Sequence, residues 1–298
     1  MTKWLKKFYA SLPIIRELQN LHQLRSLQPL PRHIRFTETN MLIQTLEMLK
    51  MGNERYRDPR RLMLHGAQYW SQSLEDGMIA EIFRRIGSSS QLFLEIGVGD
   101  GRENNTTALL AAGWKGWWIE GDRQQFDSLA KQLEEMPAVA ARLKPCQALV
   151  SPDNIAGLFE KLGIPSEVDL FSLDIDLDTF HLWVALDKFR PRVVVVEYNA
   201  GLPAELDWVH PYKAGNVWDG SQAFGASLKA FERLGRQHGY SLVGCDITGA
   251  NAFFVRNDLV ADKFAAPFTA ENHYEPPRYY MMTRMGHPAK FFCETHSP

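Results

Sequence analysis

The run from Gln91 to Thr107, QLFLEIGVGDGRENNTT, constrains the fold more than any other part of the chain. It reads as an apolar strand, an acidic glycine-rich turn and the start of a helix. GWKGWWIEGD follows, a second apolar strand that ends on Glu120 and continues into Gly121 and Asp122. Glycine tolerates positive φ and lets another group approach the main chain closely, so Gly97, Gly99 and Gly101 mark a turn against which a ligand can lie. A carboxylate just past the second strand is placed to accept hydrogen bonds from ribose hydroxyls. Together they predict a nucleoside-cofactor site, with Glu95, Gly97, Gly99, Gly101, Asn105, Glu120, Gly121 and Asp122 as its candidate residues.

The spacing selects among nucleosides. A dinucleotide fingerprint is G-x-G-x-x-G, with a pyrophosphate on the helix N-terminus and small neutral neighbours. Here the pattern is G-x-G-x-G, with Glu95 before the turn, Asp100 inside it and Glu103 after it. Three carboxylates would repel a pyrophosphate and suit the ammonium and sulfonium groups of S-adenosylmethionine (SAM).

The 298 residues are enough for one large domain and an appendage, and 45% hydrophobic with 23% charged residues is ordinary globular composition. A net charge of -2 gives no overall attraction to nucleic acid. Cys146, Cys245 and Cys293 are far apart and lack ligand spacing, which argues against a disulfide framework or a zinc site and for a reducing cytoplasm. No apolar run is long enough for a membrane span.

Residues 1 to about 35 form a basic helical segment, in which Lys3, Lys6, Lys7, Arg16, Arg25, Arg32 and Arg35 are opposed only by Glu17. Leu5, Phe8 and Leu12 before Pro13, and Ile15, Leu18, Leu21 and Leu24 after it, fall at helical spacing. Such a stripe packs on the body or a second copy, or docks on a membrane surface or a glycan-assembly partner. Residues 36–90 read as a helical region over the cofactor site, with Thr39 or Asn40 capping MLIQTLEMLK and a second helix in EDGMIAEIFRRIG closed by Gly87. From Gln91 strands near 92–96, 116–120, 145–150, 168–174 and 192–198 alternate with helices. YSLVGCDITGANAFFVR adds a terminal hairpin. This predicts an α/β, Rossmann-like fold, a mostly parallel twisted sheet ending in an antiparallel hairpin over residues 91–260, with an extension at 261–298.

SQSLEDGMIAEIFRRIG, FLEIGVGDGRENNT, GWWIEGD, FSLDIDLDTF, PRVVVVEYN, WDGSQAFGASLKAFERLGRQHGYSLVGC and GANAFFVR resemble, in that order, a bacterial group of class I methyltransferase-like proteins. That group is related to FkbM-type methyltransferases and often linked to surface-polysaccharide biosynthesis. The resemblance covers roughly residues 60–260. It implies SAM binding by the Gly97–Gly101 turn and Glu120. The chain departs from the group at Leu177 and Thr179, where relatives tend to read DIDGND.

An acceptor belongs outside the carboxyl ends of the strands. Asp174, Asp176, Glu197 and Asn199 fall there. Three readings stay open for the acids. Asp174, Asp176 and Glu197 hold Mg²⁺ or Mn²⁺ that activates a sugar hydroxyl, similar to metal-dependent macrolide sugar O-methyltransferases; one aspartate is a general base; or the aspartates cap the helix starting near Thr179. His181 is a further candidate base. His210, between Trp208 and Tyr212, and the Trp218–Asp219–Gly220 turn are candidates for binding an acceptor, with Asp219 also placed to cap the next helix. The expected activity is SAM-dependent O-methylation of a carbohydrate or glycan precursor in the cytoplasm, with contact to the inner membrane face open. The rivals are a non-catalytic methyltransferase-fold scaffold in glycan assembly and a methyltransferase for a lipid-linked or small natural-product acceptor.

Overall fold

Side chains alternate across a strand, so a strand that is apolar at every position must be covered on both faces. In β5 (Val193–Glu197), Val193 and Val195 join one core while Val194 and Val196 join the other; β1 (Leu92–Ile96) separates Phe93 from Leu94 and Ile96 in the same way. The computed structural model describes residues 30–101 and 103–278. Among them the other strands are β2 (Lys115–Glu120), β3 (Leu143–Gln147), β4 (Leu170–Leu173), β6 (Tyr240–Cys245) and β7 (Asn251–Arg256). They form one sheet in the order β3-β2-β1-β4-β5-β7-β6. β1 to β5 run parallel, and β7 lies antiparallel between β5 and β6.

The α-helices up to residue 238 are α1 (Leu30–Gly52), α2 (Glu75–Ile86), α3 (Thr107–Ala111), α4 (Arg123–Glu134), α5 (Pro137–Ala140), α6 (Ile155–Leu162), α7 (Thr179–Ala185) and α8 (Leu228–His238). One face of the sheet is covered by α2, α3 and α4, which pack Met78, Ile82, Leu110 and Leu129 around Phe93, Val195 and Phe253. The other is covered by α6, α7 and α8, with Phe159, Trp183 and Phe231 against Phe171, Val196 and Phe254. The core therefore crosses the 90/91 boundary expected from sequence, because α2 supplies one of its layers.

Gly87 ends α2 at φ +68°, and Ser227 caps α8 by accepting from the Ala230 N–H at 3.2 Å. Other expectations are corrected. α1 runs through Thr39 and Asn40 without a break, so neither caps a helix; a cap worth about 1 kcal/mol loses to an established helix that simply continues. β3 begins two residues before the predicted 145 because Leu143 pairs with Gly116, and its Pro145 is tolerated because this strand is at the sheet edge. Most of the basic segment 1–35 and the extension beyond 278 lie outside the described residues. The described part of that extension is stitched to the region before α2: Arg61 Nη2 donates to Asn272 Oδ1 at 2.6 Å, and the Tyr56 hydroxyl donates to Glu275 Oε1 at 3.0 Å.

Candidate functional site

The carboxyl edge of the parallel strands gathers the glycine turn and most of the polar candidates. Gly97, Gly99 and Gly101 all have positive φ, at +85°, +54° and +82°. Their surroundings differ. A Cβ on Gly97 would sit 1.8 Å from the Asp174 carbonyl oxygen, and one on Gly101 would sit 2.8 Å from Leu129 Cδ1, whereas one on Gly99 would meet nothing within 4 Å. Gly97 is thus required by packing against the backbone, Gly101 faces a leucine side chain that can give way, and of the three only Gly99 opens onto free space.

Glu120, buried at the end of β2, ties this turn to the next. Its Oε2 accepts from the Gly99 N–H at 2.6 Å and its Oε1 from the Asp122 N–H at 2.7 Å. A carboxylate oxygen has capacity for a second donor, so Glu120 can hold both turns and still accept from a ligand hydroxyl. Asp122 is itself the cap of α4, accepting from the Gln125 N–H at 2.8 Å. Gly121 backs onto Leu149, whose Cδ2 would lie 2.9 Å from an added Cβ.

Glu95 is turned to a different task. It is buried on the α3 face of β1 and accepts from the Asn105 N–H at 2.9 Å, the Thr106 N–H at 3.1 Å and the Thr106 hydroxyl at 2.5 Å. Asn105 in turn donates through Nδ2 to Ser172 Oγ at 3.1 Å. Burial pushes the Glu95 carboxyl up to about 7, against the lowering effect of these hydrogen bonds. One of the three acids counted from sequence therefore organises the turn from beneath. The neighbouring Asn104 was missed: its amide is buried beside Glu95 and helps to favour that carboxylate. Nothing in ENNTT separates it from Asn105.

On the acceptor side Asp174 and Asp176 are exposed and Glu197 is partly buried. Among the described residues no three His, Cys, Asp or Glu side chains come together to hold a metal ion, so the expected Asp174–Asp176–Glu197 set does not fit Mg²⁺ or Mn²⁺. The N-cap position of α7 belongs to Asp178, without a side-chain cap bond, while the Thr179 hydroxyl takes the Ile175 N–H at 2.9 Å. Asn199 is buried and committed to its own loop: Nδ2 donates to the Gln222 and Phe224 carbonyls at 2.7 and 3.0 Å, and Oδ1 accepts from the Gly201 N–H at 3.0 Å.

His181 is anchored by a 2.7 Å contact from Nε2 to the His210 carbonyl, and its ring lies 5.5 Å from that of Tyr212. Asp178, missed from sequence, has its carboxyl raised by burial and pulled back by His181 and His210. Asp219 does not cap α8; its Oδ1 accepts from the Ser221 N–H at 3.0 Å, and Trp218 Nε1 donates to the Ser221 carbonyl at 2.8 Å. These bonds make a closed turn bordering the Asn199 loop.

A parallel sheet with a reversed seventh strand inserted beside the fifth, and a glycine turn after β1 joined to an acid after β2, is the Rossmann-like class I methyltransferase fold. No protein-family model matches the sequence, and no curated protein matches it significantly. Solved structures similar to the chain include the glycopeptide N-methyltransferase MtfA complexed with SAM, at 14% identity over 70% of this chain and 95% of that one, TM-score 0.39. Magnesium protoporphyrin IX methyltransferase from Synechocystis PCC 6803 with bound S-adenosylhomocysteine is similar at 13% identity over 72% and 99%, TM-score 0.42. A SAM-dependent methyltransferase from Clostridium acetobutylicum ATCC 824 is similar at 12% identity over 60% and 89%, TM-score 0.39.

Proposed function

We propose that the chain is a SAM-dependent methyltransferase that methylates a hydroxyl of a carbohydrate or glycan precursor. The observation that carries this reading is the Gly99–Glu120 pair, an open glycine held by an acid that keeps acceptor capacity, at the carboxyl edge of this sheet. A dinucleotide is disfavoured because the amides leading into α3, where a pyrophosphate would bind, are already engaged by Glu95. The carbohydrate half rests on the resemblance to the FkbM-related group.

SAM supplies a methyl carbon activated by positive sulfur. The protein's own contribution is to hold the acceptor oxygen in line with that carbon and to take its proton. Exposed Asp174 sits beside Gly97 at the end of β4 and is the group assigned to proton removal, with Asp176 as its alternate. The acceptor O–C bond forms as the S–C bond breaks, its electron pair passing to sulfur. No step is routed through a metal.

Calorimetry with SAM and with NAD, followed by mass spectrometry of oligosaccharides incubated with isotopically labelled SAM, tests both halves. SAM binding with label on a sugar oxygen is expected. Tight NAD binding without SAM binding rejects the cofactor, and label only on nitrogen or carbon rejects the O-methyl assignment.

A further inference from the structure

The segment 67–77, before the sheet begins, is built with more internal bonding than a connector needs. Ala67 closes its base, its N–H donating to the Leu74 carbonyl at 3.2 Å and its carbonyl accepting from the Gly77 N–H at 3.0 Å. Gly77 permits that approach, since a Cβ there would lie 2.3 Å from the Ala67 nitrogen. Inside the loop the buried Asp76 carboxylate accepts three successive backbone N–H groups through Oδ2, from Tyr69 and Trp70 at 2.7 Å and Ser71 at 2.9 Å. Gln68 adds donations to the Ser71 and Gln72 carbonyls at 3.2 and 2.9 Å.

This fixed frame holds two large aromatic rings in solvent. Tyr69 is 70% and Trp70 46% exposed, with centroids 6.4 Å apart and planes inclined at 51°. Burying them elsewhere in the fold would have been favourable, so their display on a backbone held at three successive N–H groups points to a ligand. Their position also points to one. Glu75, at the start of α2, accepts from Asn251 Nδ2 at 3.1 Å, and Asn251 is the register partner of Glu197 at the end of β5. β5 lies two strand spacings, roughly 10 Å, from the glycine turn after β1. The loop thus stands on the acceptor half of the carboxyl edge.

Its charge narrows the occupant. The acids of this loop, Glu75 and Asp76, are buried, and residues 66–74 include no Lys or Arg to meet a phosphate, leaving two rings beside the exposed amide of Gln72. Flat apolar faces beside neutral hydrogen-bonding groups match a sugar ring, which carries C–H faces and a hydroxyl rim. Resting on the methyltransferase reading above, we propose that Tyr69 and Trp70 form a stacking platform that binds a neutral sugar unit of the acceptor and so sets its specificity.

The test compares the full chain with a Tyr69→Ala/Trp70→Ala variant on an array of immobilised neutral oligosaccharides, with SAM calorimetry and thermal unfolding in parallel. Expected are unchanged SAM affinity and melting temperature, and oligosaccharide binding weakened roughly tenfold or more. Equal binding by both proteins overturns the platform, as does the absence of any oligosaccharide binding by the parent or ring-dependent binding to phosphatidylcholine vesicles instead. Failure of the parent to bind SAM rejects the methyltransferase reading separately. An Asp76→Ala variant that folds but binds oligosaccharide as the parent does would show that the fixed frame is dispensable and overturn the preorganisation on which the platform rests.

Discussion

Alanine at Gly97 and alanine at Gly99 are the same chemical change two residues apart, and the structure predicts different outcomes. Both residues are left-handed, which costs a non-glycine side chain about 1–2 kcal/mol. At Gly99 the added methyl enters open space, so the loss of stability should stop there, about 3–6 °C in melting temperature for a domain of this size. At Gly97 the methyl would overlap the Asp174 carbonyl at 1.8 Å, and β1 and β4, which pair directly, would have to separate. Overpacking against a fixed backbone adds roughly 1–3 kcal/mol or more, bringing the expected drop to about 10 °C or to loss of soluble protein. Calorimetry adds the functional half. Gly99→Ala should bind SAM at least about tenfold more weakly while still folded, because its methyl occupies the path of close approach. Parent-like SAM affinity in folded Gly99→Ala would refute the placement of the cofactor, and equal stability of the two variants would refute the packing argument for Gly97.

Glu120→Ala leaves the partly buried Gly99 and Asp122 N–H groups without their acceptor, so it should lower both SAM affinity and melting temperature, with Glu120→Gln recovering part of the stability; calorimetry and thermal unfolding check both. Asp174→Asn should reduce labelled-methyl transfer by about 10²-fold or more with SAM affinity intact, and activity of the parent should persist in EDTA; full activity in the variant would remove Asp174 as the base. Burial, reinforced by the neighbouring Asp246, pushes Glu75 up to about 7, and burial does the same to Glu95, each from an ordinary 4.5. The folded state therefore keeps protons that the unfolded chain has released between pH 4.5 and 7. Stability is greatest on this account below pH 4.5, declines as pH rises from 4.5 to 7 and levels off above, by on the order of 3 kcal/mol for each group, measurable by denaturant unfolding at pH 5 and pH 8. A flat profile, or a Glu75→Gln variant with an unchanged pH slope, would contradict the assignment to Glu75.

The strands and most helices were legible because their signals are local. β1 is bounded at the predicted residues, α2 is closed by the expected Gly87, and the hairpin from Tyr240 to Arg256 surrounds its Thr-Gly turn. β3 was misplaced because its register is set by pairing with β2, which is not written in its own sequence. The site was less legible. Spacing identifies Asp174, Asp176, Glu197 and Asn199 as residues of one edge, but it does not say that Asn199 spends its amide on the Gln222 and Phe224 carbonyls. Nor could it separate Asn104 from Asn105, since both are buried and only the partners of their amides distinguish them.

The acids of the carboxyl edge share one structural use that explains why counting carboxylates overstates the available chemistry. Glu120 holds the turns after β1 and β2, Glu95 holds the entry to α3, and Asp76 holds the aromatic loop, each by accepting two or more backbone N–H groups. Asp246 does the same for the β6–β7 turn through Thr248, Ala250 and Asn251. An irregular loop in a buried setting must satisfy its N–H groups, and one carboxylate can serve several at once. Such an acid is held in place and costly to alter, whichever side of the reaction it borders. Asp174 and Asp176 differ in being exposed at the strand end next to Gly97. Proton transfer needs an acid that an acceptor can reach; under the proposed reaction the exposed Asp174 and Asp176 offer one at the end of β4, while the buried acids give the edge its shape.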